Sequence, residues 1–397
     1  MNFPTLKLKK NEDRRLRIGH LWVFSNEVDT RETPLNSFSP GQTVTVTSSS
    51  GEKLGNAYIN PHALICARLF SHDVRQPLDC GLLQKKISNA LQLRQSYFTK
   101  PYYRMVYGES DFIPGLIVDR FDNTLVVQTS TLGLDLLQSD IIATLDEVVN
   151  PEVIIVKNDL GSRKLESLES FVEVVKGNPE NTLQVIENNT RFEFSALQGQ
   201  KTGWFYDHRA NRKSMQAWAQ GKKVLDVFSY VGGWGIQAAT AGATEIHCVE
   251  SSGAACEFIE ANARLNNVAD AIKIIQQDAF DALAALLENR QKFDLIILDP
   301  PAFIKRKKDI KQGSAAYQRL NKLALKLLSN NGLLISASCS FHFPRNEHLK
   351  ILRNAASKSK CHLQIVEENK YAPDHPVHPA IPETDYLTCF TLRASSE

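Results

Sequence analysis

From residue 222 onward, the chain alternates short apolar runs with segments that carry apolar residues at helical spacing. The apolar runs predict seven strands, and the periodic segments predict helices between the first six of them. This order predicts a parallel sheet covered by helices on both faces, with a ligand held at the carboxyl ends of the strands. The predicted strands are Lys223–Phe228, Glu245–Glu250, Ile272–Gln276, Asp294–Asp299, Leu333–Ala337, His362–Val366 and Tyr386–Leu392. The predicted helices include Gly253–Asn266, Ala279–Asn289, Ser314–Leu328 and Glu347–Ala356.

The residues before this region have a different pattern. Residues 1–73 alternate with period two around Val44–Val46, with further strands at Leu54–Ile59 and Leu64–Phe70, which predicts a small all-β domain. Residues 74–183 predict a middle α+β domain. Its predicted elements are the helices Gly81–Thr99 and Leu134–Val149, two strands after a turn-rich segment, and the strand Val153–Lys157. Residues 184–209 predict a hairpin that leads into the last domain, 184–397.

A glycine-rich turn joins the first two strands of the last domain. Its glycines, Gly232, Gly233 and Gly235, let the backbone approach a ligand closely, although their spacing differs from the G-x-G-x-x-G dinucleotide fingerprint. An aspartate at the strand tip, Asp226, followed by a short glycine turn is typical of S-adenosylmethionine (SAM) sites. The turn therefore predicts a SAM site that includes Asp226, Ser229, Gly232 and Gly233. The alternative is that the glycines only end a strand.

Three acidic residues follow successive predicted strands: Glu250, Asp278 and Asp299. In a SAM site the first binds the ribose hydroxyls, the second binds the adenine amino group, and the third faces the substrate beside the cofactor. Each of them can instead be the N-cap of the next helix. Their common position at one edge of the sheet favours a role in binding.

Asp299 begins the turn Asp299-Pro300-Pro301-Ala302-Phe303. Its two prolines stiffen the turn and hold its carbonyl groups outward, as recognition of a flat base requires. Phe303 can stack on such a base. Similar turns occur in enzymes that methylate exocyclic amines, so the turn alone does not separate a nitrogen from a carbon target.

Cys339 lies at the carboxyl end of another predicted strand, in Ser338-Cys339-Ser340. Carbon 5 of cytosine is a poor nucleophile, so an enzyme first adds a thiolate to carbon 6 of the ring. Cys339 is the candidate for this thiolate, and Asp299 can protonate or hydrogen-bond ring nitrogen 3. Lys305 and Arg306 are candidates for lowering the pKa of the thiol. The alternative is that Cys339 is structural.

Composition and charge limit the classes of protein. The chain has 397 residues, of which 43% are hydrophobic and 23% charged, so it is expected to be globular with two or three domains. It has no long apolar run and no apolar signal segment, which predicts a cytosolic protein without a membrane partner. Seven scattered cysteines without C-x-x-C indicate neither a disulfide framework nor a metal site.

The net charge of +2 conceals two basic clusters. Residues 1–20 contain six basic and two acidic residues, including Arg14 and Arg15. Residues 301–311 contain five basic residues, including Lys305 and Arg306, and one acidic residue. Each cluster alone can be a solvated face, but together with a SAM-like turn they favour a polyanionic substrate.

Several motifs resemble, in the same order, those of the bacterial RlmI-type 23S ribosomal RNA cytosine-5 methyltransferases. The segment Arg14–Val28 resembles the start of a PUA domain, an RNA-binding barrel, with Leu21 where proline is usual. Gly108–Leu116 matches G-E-S-D-x-x-P-G-L, with Phe112 where glycine is usual. The other matching segments are Leu197–Arg209, Asp299–Phe303, Ser338–Ser340 and Asp374–Leu387.

The resemblance covers nearly the whole chain and implies a class I SAM-dependent methyltransferase. The expected fold is α/β, a doubly wound sheet preceded by a PUA-like β-barrel and a middle α+β domain. The last two predicted strands, which have no long helix between them, suit the antiparallel pair of that fold. The expected activity is 5-methylcytosine formation in 23S rRNA with Cys339 as the nucleophile. Pro301-Ala302 stands where related enzymes have a second cysteine, so the base for the elimination step is unnamed.

Some roles stay open at this point. Glu109 and Asp111 either contact RNA or cap their turn. Lys201, Thr202 and Gly203 approach either the methionine part of SAM or RNA, whereas Asp207, His208 and Arg209 can form a helix N-cap. A homodimer is also left open. The alternatives for the whole protein are a purine nitrogen methyltransferase of rRNA and a non-catalytic RNA-binding assembly factor.

Overall fold

The computed structural model describes residues 3–396. The chain forms two compact units. The first unit extends to Leu183 and also contains Ser195–Tyr206 and Pro373–Thr384. The second contains Gln184–Phe194, Asp207–Ala372 and the segment from Asp385 onward. The division into three domains at residues 73 and 183 stays a prediction.

The first unit begins with a five-stranded sheet in the order β1-β3-β4-β5-β2. β1 is parallel to β3, and the other pairs are antiparallel. Inward-facing aliphatic side chains fill its core, among them Leu6, Val44 and Leu69. The elements are β1 (Thr5–Lys7), α1 (Arg14–Arg17), β2 (Trp22–Phe24), β3 (Thr43–Thr47), β4 (Lys53–Ile59) and β5 (Ile65–Ser71).

A second five-stranded sheet completes the first unit, in the order β10-β9-β8-β7-β6. Helix α2 begins at the N-cap Asp79, whose carboxylate accepts the Leu82 N–H, and packs its apolar face on this sheet. The predicted helix over 134–149 is interrupted at Leu137, where the backbone leaves the helical region (φ −101°, ψ 14°). The elements are α2 (Cys80–Tyr97), β6 (Tyr102–Tyr107), β7 (Leu116–Phe121), β8 (Thr124–Thr129), α3 (Leu132–Asp135), α4 (Gln138–Val149), β9 (Val153–Asn158) and β10 (Phe171–Lys176).

The second unit is built on a seven-stranded sheet in the order β15-β14-β13-β16-β17-β19-β18. The first five strands are parallel, and β19 is antiparallel to both of its neighbours. The strands are β13 (Lys223–Val227), β14 (Glu245–Glu250), β15 (Ile272–Gln276), β16 (Phe293–Leu298), β17 (Leu328–Ser338), β18 (Cys361–Asn369) and β19 (Thr388–Ser396). The hairpin strands β11 (Thr182–Glu187) and β12 (Thr190–Ser195) precede them.

The helices of the second unit fall between the strands. They are α5 (Arg209–Ala219), α6 (Gly235–Thr240), α7 (Gly253–Leu265), α8 (Ala279–Glu288), α9 (Ile310–Leu327) and α10 (Arg345–Ser359). Residues of the strands, α8, α9 and α10 form the largest part of the core of this unit. The doubly wound sheet with its antiparallel last strand pair confirms the predicted fold class. Among residues 3–396, no helix has the length and apolarity needed to cross a membrane.

Candidate active site at the carboxyl ends of the strands

The turn after β13 has an unusual backbone. Phe228 and Tyr230 have positive φ angles of 66° and 50°, and Gly232 has a φ of 87°. A side chain at Gly232 would bring its Cβ to 2.8 Å from Ile236, and one at Gly235 to 2.7 Å from the Cys248 sulfur. Non-glycine residues in this region cost about 1–2 kcal/mol each. Such strain often accompanies a functional site, and a Cβ at Gly232 or Gly235 would require its neighbours to move.

Asp226 is completely buried beneath this turn. One carboxylate oxygen, Oδ2, accepts the Gly235 N–H at 2.9 Å, whereas Oδ1 has no hydrogen-bond partner among the described residues. Ser229 donates its hydroxyl to the Asp226 carbonyl oxygen at 2.8 Å. Burial raises the pKa of Asp226 to about 7, and the charges of Asp299 and Glu250 add to the effect. Asp226 therefore supports the turn and also presents an unsatisfied polar atom.

Glu250 and Asp278 lie at the same edge of the sheet. Glu250 ends β14, and its two carboxylate oxygens accept the N–H groups of Tyr230 at 2.9 Å and Ser252 at 2.8 Å. Asp278 is the N-cap of α8, where its Oδ1 accepts the Phe280 N–H at 2.8 Å. The N-cap alternative is therefore correct for Asp278, and these capping bonds use only one of its oxygens.

Asp299 directly follows β16, and its carboxylate contacts the side chains of His208 and Trp234. The sequence did not predict either contact. Its Oδ1 lies 3.2 Å from Nε2 of His208, and its Oδ2 accepts the Trp234 indole N–H at 2.9 Å. The His208 side chain is 4% exposed, whereas that of Asp299 is 21% exposed. The histidine of this pair is therefore enclosed, whereas the carboxylate keeps part of its surface exposed.

The mutual attraction of His208 and Asp299 favours the charged form of both side chains. Burial alone raises the pKa of Asp299, but the ion pair with His208 and the hydrogen bond from Trp234 lower the pKa below its usual 3.8. Burial alone lowers the pKa of His208, but Asp299 raises it to about 10, with further contributions from Cys389 and Asp207. At neutral pH the two groups are therefore a carboxylate and an imidazolium.

Cys339 is the first residue after β17 and is half-buried. Its sulfur lies 3.9 Å from the carbonyl oxygen of the buried Pro300, next to Asp299. The structure therefore brings Cys339 and the double-proline turn together at the carboxyl ends of two adjacent strands. The parallel pairing of β16 with β17 explains this, because it aligns the carboxyl ends of the two strands.

Hydrogen bonds tie the cysteine loop to the double-proline turn. The Tyr317 hydroxyl lies 2.8 Å from the Ser338 hydroxyl and 3.0 Å from that of Ser340. Ser340 also accepts the Ile304 N–H at 3.3 Å. The half-buried Phe303 ring packs against Tyr317 with ring centres 4.8 Å apart. The sequence missed Tyr317, because only the fold brings α9 under both loops.

The basic candidates are spread over both units. In the second unit, Lys305 and Arg306 are exposed, and Arg306 lies 3.3 Å from Asp309. The other three candidates, Arg14, Arg15 and Lys201, belong to the first unit. Arg14 is exposed, Arg15 forms an ion pair with Glu27 at 2.5 Å, and the Lys201 ammonium lies 4.6 Å from the centre of the Phe205 ring.

The G-E-S-D and Q-K-T-G segments make intramolecular contacts in the first unit. Asp111 forms an ion pair with Arg94, Glu109 accepts the Trp22 indole N–H at 2.9 Å, and Thr202 donates to Asp119 at 2.6 Å. Phe112 has a φ of 60°, the left-handed conformation that a glycine adopts without strain. The structural interpretation of Glu109 and Asp111 therefore has direct support.

Comparison with known proteins identifies the family. Residues 160–386 match the model of S-adenosylmethionine-dependent methyltransferases, and residues 6–72 match a PUA-like domain. The chain is 33% identical to the ribosomal RNA large subunit methyltransferase I of Erwinia tasmaniensis, over 98% of both chains. The enzyme of the same name from Yersinia pseudotuberculosis is 31% identical, also over 98% of both chains. The chain belongs to this family of SAM-dependent methyltransferases.

Two solved structures have the same fold as this chain. A candidate SAM-dependent methyltransferase from Streptococcus mutans superposes with a TM-score of 0.84 at 20% identity, over 98% of this chain and 100% of the other. A second methyltransferase structure, SMU.776 complexed with SAH, gives a TM-score of 0.85 at 20% identity, over the same shares of the two chains. Because residues 160–386 match the SAM-dependent family, the cofactor of this chain is SAM.

The rim of the second unit fits SAM. Gly232 and Gly235 pack too closely on Ile236 and Cys248 to carry a Cβ, so the turn presents bare backbone, and Asp226 has an oxygen without a partner among the described residues. Each oxygen of Glu250 has one backbone donor, and a carboxylate oxygen can accept another bond from a ribose hydroxyl. The individual contacts of these residues with SAM stay a prediction.

Proposed function

We propose that this methyltransferase forms 5-methylcytosine in large-subunit (23S) ribosomal RNA through a covalent adduct on Cys339. The position of Cys339 carries the proposal: its half-buried sulfur lies 3.9 Å from the carbonyl oxygen of Pro300, the residue that follows Asp299 in the chain. A structural cysteine would more often be enclosed in the sheet, as Cys248 and Cys389 are. The names of the relatives support ribosomal RNA as the substrate, which implies that the enzyme works in the cytoplasm.

Cys339 acts first in the proposed mechanism. Its thiolate adds to carbon 6 of the cytosine, so the carbon 5–carbon 6 double bond is lost and carbon 5 becomes an enamine-like nucleophile. Bound SAM supplies the electrophilic methyl group that carbon 5 accepts. A base then removes the proton from carbon 5, the double bond re-forms, and the thiolate leaves. The Tyr317, Ser338 and Ser340 hydrogen bonds hold the cysteine loop in place for these steps.

Asp299 faces the Watson–Crick edge of the base in this proposal. A carboxylate accepts a hydrogen bond from the exocyclic amine, and it stabilises positive charge that develops on the ring. Phe303 contributes an aromatic wall to the turn, and the exposed Lys305 and Arg306 contribute phosphate contacts. The PUA-like domain, including the exposed Arg14, supplies a second RNA contact.

SAM is held in this proposal by the residues of the glycine turn and the acidic rim. Glu250 binds the ribose hydroxyls, and Asp278 binds the adenine amino group with the oxygen that does not cap α8. Asp226 keeps the turn in shape through Gly235, and Ser229, Gly232 and Gly233 surround the methionine part. Calorimetry on the purified protein tests this part, since failure to bind SAM would favour a non-catalytic assembly factor.

Mass spectrometry of rRNA nucleosides tests the reaction. We expect a strain without this gene to lose one 5-methylcytosine from 23S rRNA, and a plasmid carrying the wild-type gene to restore it. A plasmid carrying Cys339→Ala should fail to do so, whereas Cys361→Ala, which alters another half-buried cysteine, should succeed. Loss of a methylated purine instead of 5-methylcytosine would contradict the proposal and support the nitrogen methyltransferase.

A further inference from the structure

His208 and Asp299 form a close ion pair at the carboxyl ends of the strands of the second unit. His208 precedes α5 and lies 91 positions before Asp299 in the chain, yet the two side chains meet at 3.2 Å. The imidazole is almost fully enclosed, whereas the side chain of Asp299, at the carboxyl end of β16, is 21% exposed. The enclosed member of the pair is therefore the histidine, and the partly exposed member is the carboxylate.

The surroundings of His208 are suited to its charged form. An imidazolium donates two N–H bonds. Nε2 lies 3.2 Å from Asp299 Oδ1, at ion-pair distance but without hydrogen-bond alignment. Nδ1 lies 3.2 Å from the Asn211 side-chain amide, whose oxygen has no hydrogen-bond partner among the described residues. A turn of this amide places the oxygen opposite Nδ1–H, so the Nδ1 proton has an acceptor and the Nε2 side has the Asp299 carboxylate as its ion-pair partner.

The chemistry of cytosine creates a need for such a proton. When a thiolate adds to carbon 6, the electron pair of the broken double bond moves through carbon 4 onto nitrogen 3, which must be protonated. A carboxylate whose pKa lies below 3.8 carries no proton of its own at neutral pH. Asp299 can therefore pass a proton to nitrogen 3 only if it receives one from a neighbour.

Building on the function proposed above, we propose that His208 is a positioning residue that stores the proton for nitrogen 3 of the target base and delivers it through Asp299. As the Cys339 sulfur–carbon 6 bond forms, the Nε2 proton of His208 moves to Asp299 and a proton moves from Asp299 to nitrogen 3. His208 is then neutral, and Asp299 is again a carboxylate. After methyl transfer, Asp299 faces the cationic ring.

The same path returns the proton. When carbon 5 loses its own proton to a base and the sulfur leaves, the methylated ring still carries the proton on nitrogen 3. This proton passes back to Asp299 and to His208, which restores the imidazolium for the next turnover. The number of protons on the pair is thus unchanged over one cycle.

Other titratable and charged groups surround the pair. Asp207 and Cys389 act on His208 directly, and Asp207 accepts the Tyr386 hydroxyl at 2.7 Å. Arg212 lies over the Trp234 ring at 5.9 Å and is paired with Glu187. Asp226 interacts with the charge of Asp299. The pH profile of a variant must therefore be compared with that of the wild type.

His208→Gln is the sharpest variant, because glutamine keeps an N–H donor near Asp299 but has no proton to release. We expect kcat for 5-methylcytosine formation to fall about 10²-fold or more at pH 8, with KM for SAM within about threefold of the wild type. Lys213→Gln, on the exposed side of α5, which begins after His208, is the matched control and should leave both constants unchanged.

The pH dependence separates proton storage from simple support. Without the imidazolium, burial raises the pKa of Asp299, so the carboxyl group itself becomes protonated as the pH falls and can serve nitrogen 3. The ratio of wild-type to variant kcat should therefore be largest near pH 9 and decrease towards pH 6. A ratio near one, or a loss that is the same at every pH, would overturn the proposal.

A measurement on the wild-type protein keeps the proposal testable if His208→Gln fails to fold. Nitrogen NMR of the protein with labelled histidine should show an imidazolium signal at pH 8.5, and absence of any imidazolium signal would overturn the proposal. The two proposals fail differently. If the wild type forms no 5-methylcytosine, the function proposed above is wrong, whereas a wild-type-like His208→Gln in an active enzyme overturns the role of His208 alone.

Discussion

Asp111 in the first unit and Asp299 in the second are both carboxylates paired with a cation, but their surroundings differ. Arg94 binds both oxygens of Asp111, at 2.6 and 2.7 Å, and the Tyr107 N–H adds a third bond at 2.6 Å. The Asp111 side chain is 6% exposed, whereas that of Asp299 is 21% exposed. The Asp111 carboxylate is enclosed, and both of its oxygens have hydrogen-bond donors. The Asp299 carboxylate is paired with an enclosed histidine and keeps part of its surface exposed.

The cations show the same difference. Arg94 donates to Asp111 and to the carbonyl oxygens of Ala90, Arg104 and Asp374, so its donors are used within the fold. A guanidinium does not give up a proton in proteins, whereas an imidazolium does. The pair in the first unit is therefore suited to stability, and the pair in the second unit is suited to chemistry. This comparison leads to separate expectations for activity and for stability.

The largest expected effect is on activity in the second unit. Cys339→Ala should lower methyl transfer by at least about 10³-fold, because the nucleophile is removed, while SAM still binds with wild-type affinity. Methylation assays with calorimetry measure both. Cys361→Ala is the control and should keep full activity. Near-normal turnover of Cys339→Ala would eliminate the covalent mechanism. The comparison would then have no evidence for a chemical role of the second unit's rim.

The next effect is on stability in the first unit. Arg94→Ala leaves the buried Asp111 carboxylate without its partner, so we expect a loss of about 3–5 kcal/mol in the free energy of unfolding. Urea denaturation measures it. Arg75→Ala, which breaks an exposed pair with Asp73, should cause no measurable change. If Arg94→Ala unfolds at the wild-type midpoint, the pair does not have the structural role assigned here.

A third expectation concerns pH and the buried Asp226. Its pKa rises from 3.8 to about 7 on folding, so the folded protein binds more protons than the unfolded one between these values. This group therefore lowers stability as the pH rises through that window, by a few kcal/mol in total. In Asp226→Asn without cofactor, the decline from pH 4 to 7 should be smaller, as seen by denaturation at several pH values.

The matched control for Asp226→Asn is Glu288→Gln, an exposed change in the same unit. It should follow the wild-type dependence on pH. Asp226→Asn should also bind SAM more weakly than the wild type, because the variant loses the charge beneath the glycine turn. Parallel pH curves for Asp226→Asn and the wild type would show that Asp226 does not have the raised pKa inferred from its burial.

The smallest effect is at Phe112 in the first unit. Its φ of 60° is unfavourable for a residue with a Cβ, and the side chain is 55% exposed. We expect Phe112→Gly to be more stable than Phe112→Ala by about 1 kcal/mol, because only glycine relieves the backbone strain. Thermal denaturation of the two variants tests this. The reverse order would mean that the turn has a different conformation.

Much of the second unit was predictable from the sequence, because period and turn signals are local. The predicted strands Glu245–Glu250 and Ile272–Gln276 match β14 and β15 residue for residue. The meeting of Cys339 with Pro300 followed from one rule, that parallel strands bring their carboxyl ends to one edge. Pattern and topology were sufficient for these features.

Long-range partners were not predictable in the same way. Nothing local to the segment Asp207–Arg209 indicates that His208 pairs with Asp299, or that Trp234 binds the other oxygen of that carboxylate. The pairing of Arg15 with Glu27 was also missed, since a basic cluster in the sequence does not show which of its charges have internal partners. Similarly, Pro373–Thr384 belongs to the first unit although it lies between strands of the second.

The central claim is that Cys339 bonds covalently to a pyrimidine ring during methyl transfer. Incubation with SAM and target RNA containing 5-fluorocytosine tests it most directly, because fluorine at carbon 5 cannot be removed as a proton and the adduct cannot break down. We expect the wild-type protein and Cys361→Ala to form a denaturation-resistant complex with this RNA. Cys339→Ala should form none. Absence of a complex with the active wild-type enzyme, or its persistence in Cys339→Ala, would contradict the claim.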